Sequence, residues 1–161
     1  MNYKVLFYCI LSIILLSCNS DDDDKDMEKP SIDMTAESAF PTNCVVLLRG
    51  ESFSFNARFA DNVELGNYNL EIHNNFDHHS HGGNSRAAQE TVDFSFNRSY
   101  DVSGQKTAHI HHHDIVIPAN ATAGDYHLMV YCTDAAGNES YIARNIKLSN
   151  EVEDEDHHHD E

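Results

Sequence analysis

Tryptophan is absent from the chain, which removes the broad aromatic platforms on which sugar-binding modules stack their ligands. Positive charge is scarce. Ten Lys and Arg face 27 Asp and Glu, for a net charge of −17, and so negative a surface repels phosphate backbones and argues against nucleic-acid partners. Helical periodicity is missing throughout the body of the chain. No nucleophile–base pair and no acid–base carboxylate pair stands out, so the expectation is a protein that is not an enzyme.

Histidine, by contrast, is abundant, with 12 in all. One group is His73, His78, His79 and His81 in HNNFDHHSH; a second is His109, His111, His112 and His113 in HIHHHD; His127 stands apart in GDYH. Neutral imidazole is the commonest protein ligand for transition metals. Nitrogen-rich ligands with few thiolates suit Zn²⁺ or Cu²⁺ first, with Ni²⁺ and iron as further candidates. Scattered surface histidines are the plain alternative to a metal site.

The first 17 residues read as a secretory signal. Lys4 supplies the positive start and Val5 to Leu16 an apolar stretch too short for a stable membrane span. It ends in Leu15-Leu16-Ser17-Cys18, which resembles a bacterial lipobox. That resemblance implies lipidation of Cys18, an outer-membrane anchor and no membrane crossing. The acidic run Asp21 to Asp24 resembles the surface-export signal of Bacteroidetes lipoproteins, implying exposure at the cell surface. The expected organisation is a signal over 1–17, an acidic tether over 18–29, one domain over 30–149, and a disordered acidic and histidine-bearing tail over 150–161. In an oxidising compartment Cys44 and Cys132 can form one disulfide; two buried thiols are the alternative.

Alternation of period two recurs along residues 30–149. Phe53, Phe55, Ala57 and Phe59 face one way against Ser52, Ser54, Asn56 and Arg58. Tyr68, Leu70 and Ile72 repeat the pattern, then Val92, Phe94 and Phe96, Ile115 and Ile117, Tyr126 to Cys132, and Ile142 to Leu148, after a first edge strand at Ile32 and Met34. About seven short strands between turns rich in Gly, Asn and Asp indicate an all-β fold, an immunoglobulin-like antiparallel β-sandwich. Gly137 is placed to take positive φ in a hairpin turn at Asp134 to Asn138. Asp61, Asn62 and Asp134 read as turn residues, with Ca²⁺ contact as the minor alternative.

The third and sixth strands of such a sandwich are antiparallel neighbours, so His73 and His127 are expected side by side, pointing away from the core. Asp77, His78, His79 and His81 begin a long polar connection from the same end. The expected site joins His73 and His127 to one or more of the loop histidines, with Asp77 as an oxygen ligand or supporting partner. His109, His111 and His113 share one strand face, about 6.5 Å apart in succession, with Ile110 and His112 on the other. They either complete that site or form a second one.

Four further segments, PTNC (41–44), RGESFSF (49–55), FADNVELGNYNLEIHNNFDHHSHG (59–82) and IPANATAGDYHLMVYCTDAAGN (117–138), resemble a family of Bacteroidetes lipoproteins known as domain-of-unknown-function family 4625. The resemblance implies a surface lipoprotein domain and carries no activity. The leading expectation is a non-enzymatic surface lipoprotein that binds a divalent transition metal, for capture, buffering or delivery to an outer-membrane transporter. An adhesion or glycan-binding module with incidental histidines is the alternative. A metalloenzyme is the third reading, but HNNFDHHSH lacks the ligand spacings of copper–zinc superoxide dismutase.

Overall fold

In a computed structural model, residues 25–75 and 91–150 are described. They form eight strands and no helix: β1 (Ser31–Asp33), β2 (Val45–Leu48), β3 (Ser52–Ala60), β4 (Leu65–Asn74), β5 (Phe96–Asp101), β6 (Thr107–Val116), β7 (Gly124–Asp134) and β8 (Glu139–Ser149). One sheet has the order β1-β3-β6 and the other β2-β8-β7-β4-β5. All pairings are antiparallel except β2 with β8. The expected immunoglobulin-like sandwich is therefore present, with β4 and β7 as central neighbours.

Alternation decides which face each strand buries. Phe55 and Phe59 of β3 and Ile115 of β6 meet Leu70 and Ile72 of β4, Leu128 and Val130 of β7 and Ile146 of β8, all essentially inaccessible. Phe55 and Phe59 stack on Tyr68, which stacks on Tyr100 at 4.7 Å between centroids. Near the start of β7 the Tyr126 hydroxyl donates to the Thr122 carbonyl at 2.8 Å. This is the tyrosine-corner tie of immunoglobulin-like sandwiches, four residues back along the chain.

Several expectations change. β2 adds an eighth strand that the pattern did not reveal: VVLL does not alternate. The fourth strand lies later than Val92–Phe96. Val92 makes only a bridge to Ala121, Phe94 is a core residue ahead of the ladder, and pairing begins at Phe96. The fifth strand extends back to Thr107 and carries the whole second histidine group. The Cys44–Cys132 disulfide is not formed; both thiols are free. Cys44 N–H bonds to Asn145 O, whereas Cys132 pairs with Ser140. Five residues of β8 separate those positions, about 16 Å, well beyond the reach of a disulfide. Burial then pushes the Cys132 thiol up to about 12.

Two irregularities shape the ends of the sandwich. Phe55 pairs with His112 but Phe53 with Ile115, so β6 carries one extra residue at His113-Asp114. That bulge resets the alternation, and both His112 and Ile115 face inward. At the other end the β4–β7 register shifts between Leu65 and Asn67. A Cβ on Gly66 would lie 2.8 Å from the Asp134 carbonyl oxygen and 2.9 Å from that of Thr133. Only glycine allows this approach.

Candidate metal centre

His73 and His127 are direct cross-strand partners on β4 and β7, as the sandwich order requires. Their rings meet edge to face with centroids 5.6 Å apart. Both are half-buried and alternate with core residues, so they lie on the outer face of the five-stranded sheet. His73 Nδ1 lies 3.3 Å from Glu71 Oε1, two residues back on the same face. Asp77, His78, His79 and His81 lie outside the described residues, so the joining of the loop to this pair does too; Cys18 is likewise outside them.

The second group occupies the outer face of the other sheet. His109, His111 and His113 are exposed, while His112 is half-buried on the inner side. His111 Nε2 and His113 Nε2 are 3.1 Å apart, with rings edge to face at 4.7 Å. Two nitrogens bound to one tetrahedral zinc at 2.0–2.1 Å stand about 3.3 Å apart, so this spacing already matches a shared ion. His111 Nδ1 contacts Asn56 Oδ1 on β3. An amide oxygen accepts, so Nδ1 carries the proton and Nε2 is left as the unprotonated nitrogen, directed at His113 Nε2.

His109 is placed differently. Its cross-strand partner is Arg58, and a fixed guanidinium beside an imidazole repels an approaching cation. A cavity of about 510 Å³ opens here, lined by Asp33, Asn56, Arg58, His109 and His111 among others. Among the described residues no third histidine, cysteine or carboxylate closes tightly on the His111–His113 pair. An ion there would complete its shell with water or with groups from elsewhere in the chain.

The His73–His127 pair and the His111–His113 pair are too far apart to share an ion. They stand on opposite outer faces of two sheets that pack about 10 Å apart.

His112 serves another purpose. Its ring stacks on Tyr100 at 4.8 Å and packs against Phe55 at 5.5 Å, and its Nδ1 meets Asp114 Oδ1. Asp114 Oδ2 also accepts from the Arg98 guanidinium at 2.6 Å and the Tyr100 hydroxyl at 2.9 Å. Burial lowers the basicity of His112 more than Asp114 restores it. The group joins the edge strands β5 and β6 across the open side of the sandwich, and it is structural.

Sequence reasoning treated one further cluster as turns. Asp26, Asp61 and Asp134 each offer an oxygen within 4.8 Å of the others. Asp61 and Asp134 lay in recognisable turns, but nothing local marked Asp26 as their companion.

A search of curated proteins finds no match to this chain. Residues 16–149 match the model of the family described as "Domain of unknown function (DUF4625)". That span takes in every described strand, and the chain belongs to this family.

Proposed function

We propose that the protein is a lipid-anchored bacterial surface protein that binds a divalent transition metal, Zn²⁺ or Cu²⁺ by ligand chemistry, through paired histidines on its sandwich faces. One observation carries the reading: His111 Nε2 and His113 Nε2 stand 3.1 Å apart, with Asn56 holding the His111 tautomer. His73 and His127 supply a second imidazole pair. Asp77, His78, His79 and His81 follow His73 closely in sequence and extend the donor set, and His109 lies on the same strand as the first pair. The role is capture, buffering or delivery to an outer-membrane transporter, with the ion as cargo and no reaction catalysed. Cys18 after Leu15-Leu16-Ser17 supports the lipid anchor.

Equilibrium dialysis against Zn²⁺ and Cu²⁺, on protein purified without a metal-affinity column, tests the reading. Bound metal should fall by about one ion in the His111→Ala/His113→Ala variant. Binding that this variant leaves unchanged removes the site from the account.

A specific feature favours the glycan alternative as a second reading. Tyr141, 65 % exposed, packs on Tyr131 at 5.9 Å between centroids. Tyr131 also borders a polar groove lined by Asn67, Asn69, Ser99, Thr133 and Glu139. Chelator-resistant glycan-array binding lost in Tyr141→Ala would support it.

A further inference from the structure

At the end of the sandwich marked by the Gly66 bulge, three carboxylates gather from distant parts of the chain. Asp26 precedes β1, Asp61 follows β3, and Asp134 ends β7. Asp134 is only 4 % exposed, an unusual place for an ionised group. Burial works to raise its pKa, but hydrogen bonds from Asn138 and the neighbouring turn amides outweigh it and hold the carboxyl below the usual carboxylate range. No Lys or Arg forms an ion pair with any of the three among the described residues.

Hydrogen bonding leaves a gap of one kind. Asp61 Oδ2 accepts from the N–H groups of Val63 and Glu64, both at 2.8 Å. Its other oxygen, Oδ1, is closed off from solvent and has no donor at all. A buried carboxylate oxygen without a partner costs free energy unless something positive faces it. Asn138 Nδ2 reaches both Asp134 Oδ2 at 2.7 Å and the Asp26 carbonyl at 3.1 Å. Asn62 Nδ2 donates to Asp26 Oδ1 at 3.2 Å. Two turns thus hold Asp26, from the segment expected to be a free acidic tether, against the body of the domain.

We infer that Asp26, Asp61 and Asp134 form a Ca²⁺ site that clamps the N-terminal segment to this end of the sandwich. Ca²⁺ takes oxygen ligands at about 2.3–2.6 Å, so ligands on opposite sides of the ion stand up to about 5 Å apart. The three oxygens here fall within 4.8 Å of one another. Mg²⁺ demands bonds nearer 2.0–2.1 Å and near-ideal octahedral geometry, and three ligands fixed by separate strands and turns fit the larger ion better. Nitrogen-seeking metals belong to the histidine faces, and this all-oxygen cluster takes the hard cation. The site also gives the acidic segment a function: with the ion bound, residues from Asp26 onward are fixed to the domain.

Thermal melting and calorimetric titration of EDTA-treated protein with CaCl₂ test the inference. Affinity in the range of about 10⁻⁴–10⁻³ M is expected for an extracellular module. Saturating CaCl₂ should raise the melting midpoint by about 5 °C or more. Asp61→Asn and Asp26→Asn should each weaken Ca²⁺ binding at least about tenfold, and His111→Ala/His113→Ala should leave it intact, which separates this site from the histidine faces. Asp26 lies outside the strands, so its variant reports even if the Asp61 variant does not fold. The same midpoint in CaCl₂ and in NaCl of equal ionic strength overturns the site. Equal protection by MgCl₂ overturns the assignment to Ca²⁺. Undiminished Ca²⁺ affinity in Asp26→Asn overturns the clamp.

Discussion

Single residues decide whether a lone pair reaches a metal. His111 is poised because Asn56, its partner on β3, accepts a hydrogen bond from its Nδ1–H and leaves Nε2 unprotonated. Asn56→Ala should therefore weaken zinc binding by about 10–100-fold without moving either imidazole. Calorimetric titration checks this, and full affinity in the variant would show that the amide plays no part. Ligand histidines must be neutral, so affinity should also fall on acidification. His112 gives a separate pH dependence, of the fold itself. Its folded-state pKa lies below the ordinary 6.5 because burial disfavours the cation, so the unfolded chain takes up the proton first as pH falls. The stability present above 6.5 is then lost as pH falls from 6.5 to the lowered folded value, and no further below it. Thermal melts in EDTA across that window should show the decline, and His112→Phe should flatten it. A slope unaltered by the substitution would place its origin elsewhere.

At the scale of elements, the strands that pack a core on one side were legible and those that do not were hidden. Phe53, Phe55 and Phe59, or Tyr68, Leu70 and Ile72, announce their faces because each alternate residue loses contact with water. The same logic, with the neighbouring of the third and sixth strands, was enough to pair His73 with His127. β5 was placed too early in the chain because FNRSYD is an edge strand with little of its surface buried, and β2 escaped because it runs parallel beside β8 without alternation. The His113-Asp114 bulge could not be read either. A register slip has no signature in local composition, only in which residues of β3 it faces. The Gly66 bulge is of the same kind, and its consequence is measurable. Gly66→Ala would drive a methyl into the carbonyl oxygens of Thr133 and Asp134. It should cost about 1–3 kcal/mol in urea denaturation; an unchanged midpoint would mean that β4 and β7 part easily here.

For the whole molecule, the sandwich sorts its donors by position: imidazole pairs on two opposite faces and carboxylates at one end. Sites so far apart with no shared side chains should act independently. Removing His111 and His113 should leave binding at His73 and His127 unaltered, and the double removal of both pairs should equal the sum of the two losses. A site joining both histidine groups, one of the two alternatives the sequence left open, needed strands of different sheets to face one another; the two-layer architecture turns the outer faces that carry His73 and His111 apart. The most direct test of the central claim is zinc K-edge X-ray absorption on protein holding one equivalent of Zn²⁺ with His73 and His127 replaced by alanine. Two imidazole nitrogens at about 2.0–2.1 Å, reduced when His111 is also replaced, are the expected result. A first shell of oxygen alone would contradict it.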